Sequence, residues 1–569
     1  MPGAKISETA KHLAELVGTG VPNLANEERS DATKIVVAIA VELGAVPCER
    51  VVSYAKSAWA DAQGSQSAVA RCSVVKRVAT INQHAEEHIH PIMAEFGLSL
   101  PIPITIISGN LFAEGIPRLK PIDFLHYMSE TGNLYRLLGG TSLDKSAAKF
   151  TKFWGNFQKI HPDFELFSAD TPKEVQWSDC IPIYCHADGG RGFKKSEYMV
   201  FNWSSALGNG TGRANRKDPD IRRFRKPSSK MQVNLLGHSY ATHFLWGTLS
   251  QKLHKDNEDC FQEMLLQFGA DLRECFDTGI VVNGRRLRLV CLGMKGDLKL
   301  QARAGKMTRW YSTTRKGPIN EKNTKQTKGL CCWLCPAGDV KYPFEELHTE
   351  EPAWKKAMET FTEPPWNTDD EPPIVSFCHR YLDRPGRFFL PDLFHIYLAG
   401  FGQDFAGSCL VYMLPVTFKS PLGDGVEAQL DTLNRSFKLW RKMFKVYTHT
   451  GSFNRNLLGF PDATKVFPTG TWSKASDTSK IIAFIQYIAE LFLEDNGAAS
   501  DKILHYIHVA STAIGVCMKT LYEADLWIDS WFPIIFQNLG LAFSMGGQSL
   551  TPPNVYHLQL DMVVACNSK

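Results

Sequence analysis

Two aspartates stand in settings that suit metal chemistry. Asp188 follows the apolar run 181–186 (IPIYCH) in Cys-His-Ala-Asp-Gly-Gly, and Asp297 follows residues 285–294 (RRLRLVCLGM) in Met-Lys-Gly-Asp-Leu. Carboxylates on two strand ends can share a hard divalent cation such as Mg²⁺ or Mn²⁺. Such a cation activates water and stabilises the leaving oxygen of a phosphodiester. Quieter uses exist for the same residues: an Asp before Gly closes a turn, and an Asp before a helix caps its N-terminus. Spacing alone leaves both readings open.

Further groups could bind metal or polyanion. Cys332 and Cys335 form a C-x-x-C knuckle with Cys331 beside it. Two thiolates need two more ligands to close a tetrahedral Zn²⁺ site, and His348, Cys378, His379 and His395 are the downstream candidates. No second C-x-x-C completes the set, so structural cysteines and a redox dithiol stay as alternatives. Asp392 and His395 lie three apart in residues 387–405 (RFFLPDLFHIYLAGFGQDF), which a helix would place on one face. Two basic stretches accompany the acids. The first holds Arg213, Arg216, Lys217, Arg222, Arg223, Arg225, Lys226 and Lys230. The second holds Arg303, Lys306, Arg309, Arg315, Lys316, Lys322, Lys325 and Lys328, with Trp310 and Tyr311 interleaved. Together they offer phosphate neutralisation and base stacking, although a charge run is also the ordinary form of a solvated loop.

These side chains need elements to hold them. Residues 181–186, 196–207, 231–240 and 285–294 read as strands, and residues 243–276 as one long helix, from their apolar spacing. The predicted order is strand, strand, strand, helix, strand, with an acid ending the first strand and another following the fourth. Residues 1–100 read as helical, notably 31–42 and 68–94. The Pro-rich run 98–105 marks a boundary, 101–179 reads as a mixed helical linker, and 411–569 as helical again.

Composition bounds the rest. The chain has 569 residues, 44% hydrophobic and 21% charged, which excludes global disorder, collagen-like fibre and coiled coil. Sixty-three Lys and Arg against 59 Asp and Glu give a net charge of only +4, so any nucleic-acid contact must be local. Residues 1–23 lack a charged-then-apolar leader, which predicts reduced thiols for the fourteen cysteines. The most apolar stretch, 531–545, is short and interrupted by Pro533, Gln537 and Asn538, so it reads as a buried helix rather than a membrane span.

In order, the Asp188 motif, the Lys-Gly-Asp297 motif, the Cys332–Cys335 knuckle and Asp392-x-x-His395 followed by Gly400 resemble the catalytic region of DDE/D cut-and-paste transposases of the CACTA and plavaka types. The resemblance covers about residues 180–410. It implies an α/β fold with an RNase H-like core there, a zinc-knuckle insertion at about 303–380, and helical regions on both sides. It further implies Asp188 and Asp297 as the first two catalytic acids, with Mg²⁺ or Mn²⁺, structural Zn²⁺, DNA as partner, a nuclear location and a homo-oligomer. The third acid of such enzymes, usually Glu, has no clear counterpart; Asp392, Glu490, Glu494 and Glu523 are the candidates. A catalytically dead binding scaffold on the same fold is the alternative.

Overall fold

The computed structural model describes residues 48–63, 73–95, 102–191, 197–210, 231–236, 242–313, 330–344, 346, 352–358, 360–419, 423, 425–461, 468–497, 500–523 and 526–527. Contacts divide the chain into two compact units, one of Met1–Ile104 with His126–Asn133 and one of Thr105–Leu125 with Leu134–Lys569. In the first unit, helices α1 (Cys48–Ala62), α2 (Ser73–Ala79) and α3 (Ala85–Glu95) share one small core. Val51, Val52 and Ala55 of α1 meet Val74, Val75 and Val78 of α2 and Ile89, Ile92 and Met93 of α3. The helix expected over 68–94 is broken between α2 and α3, where His84 takes a left-handed φ of 52°. The helix expected at 31–42 lies outside the described residues.

The second unit is built on a curled mixed sheet, and the whole is a mixed α/β protein. Nine strands are described: β1 (Ile104–Gly109), β2 (Phe112–Leu119), β3 (Cys180–Arg191), β4 (Glu197–Ser205), β5 (Leu207–Gly208), β6 (Gln232–Val233), β7 (Phe244–Ser250), β8 (Ile280–Val282) and β9 (Arg285–Lys295). Seven form one sheet in the order β1-β2-β7-β4-β3-β9-β8, and β5 and β6 make a separate ribbon. β3, β4 and β7 are antiparallel neighbours, whereas β9 runs parallel to β3. A parallel pair needs a crossover, here helix α5 (Glu258–Asp277). β9 is buried from Leu287 to Met294 without alternation, as expected for a strand covered on both faces.

Aromatic side chains close the layers. Helix α4 (Leu143–Ile160) buries Phe150, Phe153, Trp154 and Phe157 at spacings of three and four, and Trp154 Nε1 donates to the Cys180 carbonyl at the start of β3 (2.9 Å). Helix α5 starts at Asn257, whose side chain accepts from the Cys260 N–H. Its Phe268 stacks on Trp246 of β7 at 4.8 Å between centroids, and its Phe261 and Phe268 both reach Phe201 of β4. Trp246 Nε1 donates to Asp271 (2.8 Å), whose carboxylate also lies 3.3 Å from Arg118 of β2. Burial raises the Asp271 pKa against the opposing pull of that hydrogen bond and of Arg118.

Two expectations need correction. Of the strand expected over 231–240, residues 231–236 are described and contribute the two-residue β6, and the helix expected over 243–276 is a strand followed by a helix. β7 alternates Phe244, Trp246 and Leu249 inward with a shift, and its aromatic and apolar residues fit the sheet as well as a helix until Asn257 caps α5. The stretch read as a helical linker also supplies β1 and β2, which extend the sheet past β7.

Beyond the sheet lie helix α6 (Leu298–Ala304) and a helical cluster. The cluster comprises α7 (Gly402–Thr417), α8 (Val426–Met443), α9 (Thr478–Asn496) and α10 (Lys502–Glu523). Its core includes Leu410, Met413, Leu433, Phe437, Phe484, Ile485 and Leu504. Among the described residues no helix is long and apolar enough to cross a membrane; residues 531–545 lie outside them.

The layer between β7 and α5 should be the costliest to disturb. Phe268→Ala is expected to destabilise the protein by about 3–5 kcal/mol, read as a lower denaturant midpoint. Acid should weaken the fold through His379, which lies between Phe164 and Phe276 with no hydrogen-bond partner for Nε2. Burial, aided by the charge of Arg273, lowers its pKa to about 3. A group whose folded pKa is depressed stabilises fully above its unfolded pKa, near 6.5, and loses that contribution as pH falls towards the folded value. The loss is about 1.4 kcal/mol per pH unit for one such group. Melting curves from pH 7 to 5 should therefore fall more steeply for the native protein than for His379→Gln.

Candidate metal centre

The strand register brings the two aspartates together. Cys185 pairs with Met294 and His186 with Lys295 across β3 and β9, so two residues further on Asp188 comes opposite Asp297. Side chains alternate along a strand, so Tyr184, His186 and Asp188 share a face with Lys295 and Asp297. Gly296 permits the approach: a Cβ there would lie 2.6 Å from Leu300 Cδ2 and 2.9 Å from the Ala187 carbonyl. Asp297 is also the N-cap of α6, with Oδ1 accepting from the Leu300 N–H at 2.7 Å. The capping use and the site use therefore hold together, one oxygen serving the helix and the other left for the cleft. Asp188, in contrast, closes no turn; it sits inside β3, opposite Val200 of β4.

A third ligand arrives from far along the chain. Phe389 bridges Met294 in parallel, and the Leu390 N–H donates to the Met294 carbonyl (2.9 Å). Gln301 of α6 clamps the junction by donating to the carbonyls of Gly296 and Leu390. This delivers Asp392 and His395 to the end of β9. Asp392 Oδ1 accepts from the Phe394 N–H (2.8 Å), and its Oδ2 lies 2.6 Å from His395 Nδ1. A π-helix follows over Phe394–Phe401 in place of the expected α-helix, and Gly400 leaves helical geometry at its end. A Cβ at Gly400 would lie 2.7 Å from the His395 carbonyl, so the wide turn depends on glycine.

Ligand atoms of Asp188, Asp297 and His395 all lie within 4.8 Å of one another. Two ligands of one cation at 2.1–2.4 Å are at most about 4.2–4.8 Å apart, so the three can serve a single ion. The hydrogen bond to Asp392 occupies Nδ1 and leaves Nε2 as the ring's other coordinating atom, the arrangement that orients metal-binding histidines.

The electrostatics match a site short of positive charge. Burial raises the Asp188 pKa, and the carboxylates of Asp297 and Asp392 add to it against the pull of His395. The Asp392 hydrogen bond raises the His395 pKa, with the charges of Asp392, Asp297 and Asp188 behind it. Burial works to raise Asp392, but its bond to His395 and that ring's charge hold it below the usual carboxylate range. His186, in contact with Asn202 Nδ2 at 3.0 Å, is lowered to about 4 by burial. Burial brings Lys295 down to about 8, and its Nζ stands 3.8 Å from the Tyr184 ring centroid.

Other expected site residues lie elsewhere. Cys331, Cys332 and Cys335 are buried thiols, but His395 stands with the aspartates, Cys378 contacts Cys291, and His379 is enclosed by aromatic rings. No metal-competent group of three forms around the knuckle among the described residues. Cys332 instead accepts from the Leu334 N–H (3.3 Å), and its pKa is lowered by the Cys335 thiol first and, less, by Arg309. Arg309, read as a phosphate contact, is buried; its guanidinium donates to the carbonyls of Trp333 and Glu363 and covers the Phe361 ring at 4.5 Å. Trp310 is half-buried against Tyr311. Glu490 and Glu494 are exposed on α9 and neither joins the Asp188 group; Glu523 ends α10, and its side chain lies outside what the structure describes. Arg213, Arg216, Lys217, Arg222, Arg223, Arg225, Lys226, Arg315, Lys316 and His348 lie outside the described residues. His186 and Lys295 were missed, though stepping back by two from Asp188 and Asp297 finds both.

No protein-family model matches the chain, and no curated protein is significantly similar to it.

Calorimetric titration with Mn²⁺ should separate the ligand roles. Asp188→Asn and His395→Ala are each expected to abolish measurable binding, whereas Asp392→Asn should weaken it about 10–100-fold, as outer partners of metal-bound histidines do.

Proposed function

We propose that this is a transposase-like protein whose RNase H-like sheet carries out divalent-metal-dependent phosphodiester chemistry on DNA. The observation that carries the reading is the meeting of Asp188 on β3, Asp297 just after β9 and His395. The order β7-β4-β3-β9, with β9 parallel to β3, supports it, because the RNase H-like layout has an acid on its first strand and another after its fourth. His395 supplies a third candidate ligand beside the two aspartates, whereas the resemblance expects a third acid further along the chain.

Two carboxylates and one imidazole fit Mn²⁺, which accepts oxygen and nitrogen, better than Mg²⁺, which favours oxygen alone. Asp188, Asp297 and His395 would hold the ion, and its chemistry would be activation of water or a 3′-hydroxyl and stabilisation of the leaving oxygen. Asp392 fixes the His395 ring and leaves Nε2 towards the aspartates. Lys295 places an amine on the same face as both aspartates, where it favours an approaching phosphate. The basic stretches would position the DNA backbone without reading its sequence.

The test is nicking of a supercoiled plasmid by the purified protein with Mn²⁺, with Mg²⁺ and with chelator. Nicking is expected with Mn²⁺, weaker with Mg²⁺, absent with chelator, and at least 100-fold slower in Asp188→Asn and Asp297→Asn, since each aspartate holds the ion. DNA binding without any cation-dependent nicking would favour the catalytically dead scaffold.

A further inference from the structure

The helical cluster carries a surface of a different kind. Residues 432–460 contain six Lys and Arg and no Asp or Glu. Three of the six are engaged locally: Arg435 donates to Thr432 Oγ1, Arg441 to the carbonyls of Thr450 and Gly451, and Arg455 pairs with Glu427 at 2.9 Å. Lys438, Lys442 and Lys445 are exposed and form no ion pair among the described residues. Lys438 and Lys442 stand one turn apart on α8. Lys445 follows the helix end at φ 53°, a left-handed conformation unfavourable for a residue with a side chain.

Large apolar side chains lie among these lysines. Leu439, Met443, Phe444 and Tyr447 are 67%, 58%, 51% and 69% exposed. The Phe444 ring is held by Trp440 at 5.8 Å and Tyr487 at 5.3 Å, and Tyr447 by His449 at 5.2 Å, so both rings are supported on one side while much of each stays open. A cluster of exposed apolar groups marks an interaction site, and the uncompensated ammonium groups select an anionic partner. A second copy docking by this same face would set the three lysines against themselves, and a duplex keeps its base faces stacked inside. An unpaired strand offers phosphates and open base faces together.

We propose that the end of α8 binds single-stranded nucleic acid, with Lys438, Lys442 and Lys445 neutralising phosphates and Phe444 and Tyr447 stacking on bases. The inference extends the nucleic-acid reading above but acts through a separate surface and needs no cation site.

Anisotropy of fluorescein-labelled oligo-dT with the full chain in chelator, across a salt series, tests it. Lys438→Ala/Lys442→Ala/Lys445→Ala should weaken binding at least tenfold at low salt and reduce the log–log salt slope by about 2, near 0.7 per lost single-strand phosphate contact. Tyr447→Ala, at an open position, should weaken binding about tenfold with the slope unchanged, as loss of one stacked base would. Both variants should keep the native circular dichroism and melting temperature, and Asp188→Asn should bind oligo-dT as the native chain does. Unchanged affinity in both variants overturns the proposal. So does a native chain that fails to bind oligo-dT, or a Tyr447→Ala effect confined to self-association in sedimentation. Intact oligo-dT binding with no cation-dependent nicking would count against the cation site alone, and the converse against this surface alone.

Discussion

The parallel pairing of β3 with β9 is the constraint on which the site depends. More than ninety residues separate the two strands, and no local turn can join them in parallel, so the register must be set by packing. β3 provides it from one side by pairing with β4, and β9 provides it from the other through the β8 hairpin and the α5 crossover. A slip of one residue would turn Asp188 or Asp297 to the opposite face. The burial of β9 on both faces from Leu287 to Met294 makes such a slip costly, because each of those side chains would be turned into the other layer. The core beneath the sheet therefore shapes the site by holding a register.

The same pairing concentrates negative charge, which works against folding. Asp188 is raised by burial and by its acidic neighbours, so its ionised form is strained in the absence of a cation. His395 offsets part of this through its bond to Asp392 and its nearness to both aspartates. Under the proposed function, a cation held by both aspartates and His395 Nε2 would take over that balance. The proposed function accounts for this pattern, in which charge is gathered at a cost to stability.

Much of the sheet was legible in the sequence because β3, β4 and β9 carry dense apolar and aromatic runs bounded by polar or glycine-rich turns. β7 was not, since Phe244, Leu245, Leu249 and Leu253 also fall at helical spacing ahead of α5, and short apolar runs have no period of their own. The acidic pair was visible through its place at two strand ends. His395 was visible as a residue but was grouped with cysteines, because ligand spacing in a sequence does not say which strand end a returning loop will meet. That was decided by one parallel bridge, Phe389 to Met294, and by the Gln301 clamp.

Charge was the least legible property, for a reason that two basic segments make plain. Arg309 lies in a strongly basic stretch, yet its guanidinium satisfies buried carbonyls and packs on Phe361, so it contributes to the interior. Lys438, Lys442 and Lys445 lie in a less conspicuous stretch, are exposed, and have no carboxylate or carbonyl engaging them among the described residues. Arginine's planar fork and weaker hydration let it be absorbed by a core, whereas lysine's compact, strongly hydrated ammonium resists burial. A basic run therefore predicts a polyanion contact only when its cations are left without internal acceptors. That condition depends on neighbouring carbonyls and carboxylates brought from distant parts of the chain, and it separates Arg309 from the lysines of α8.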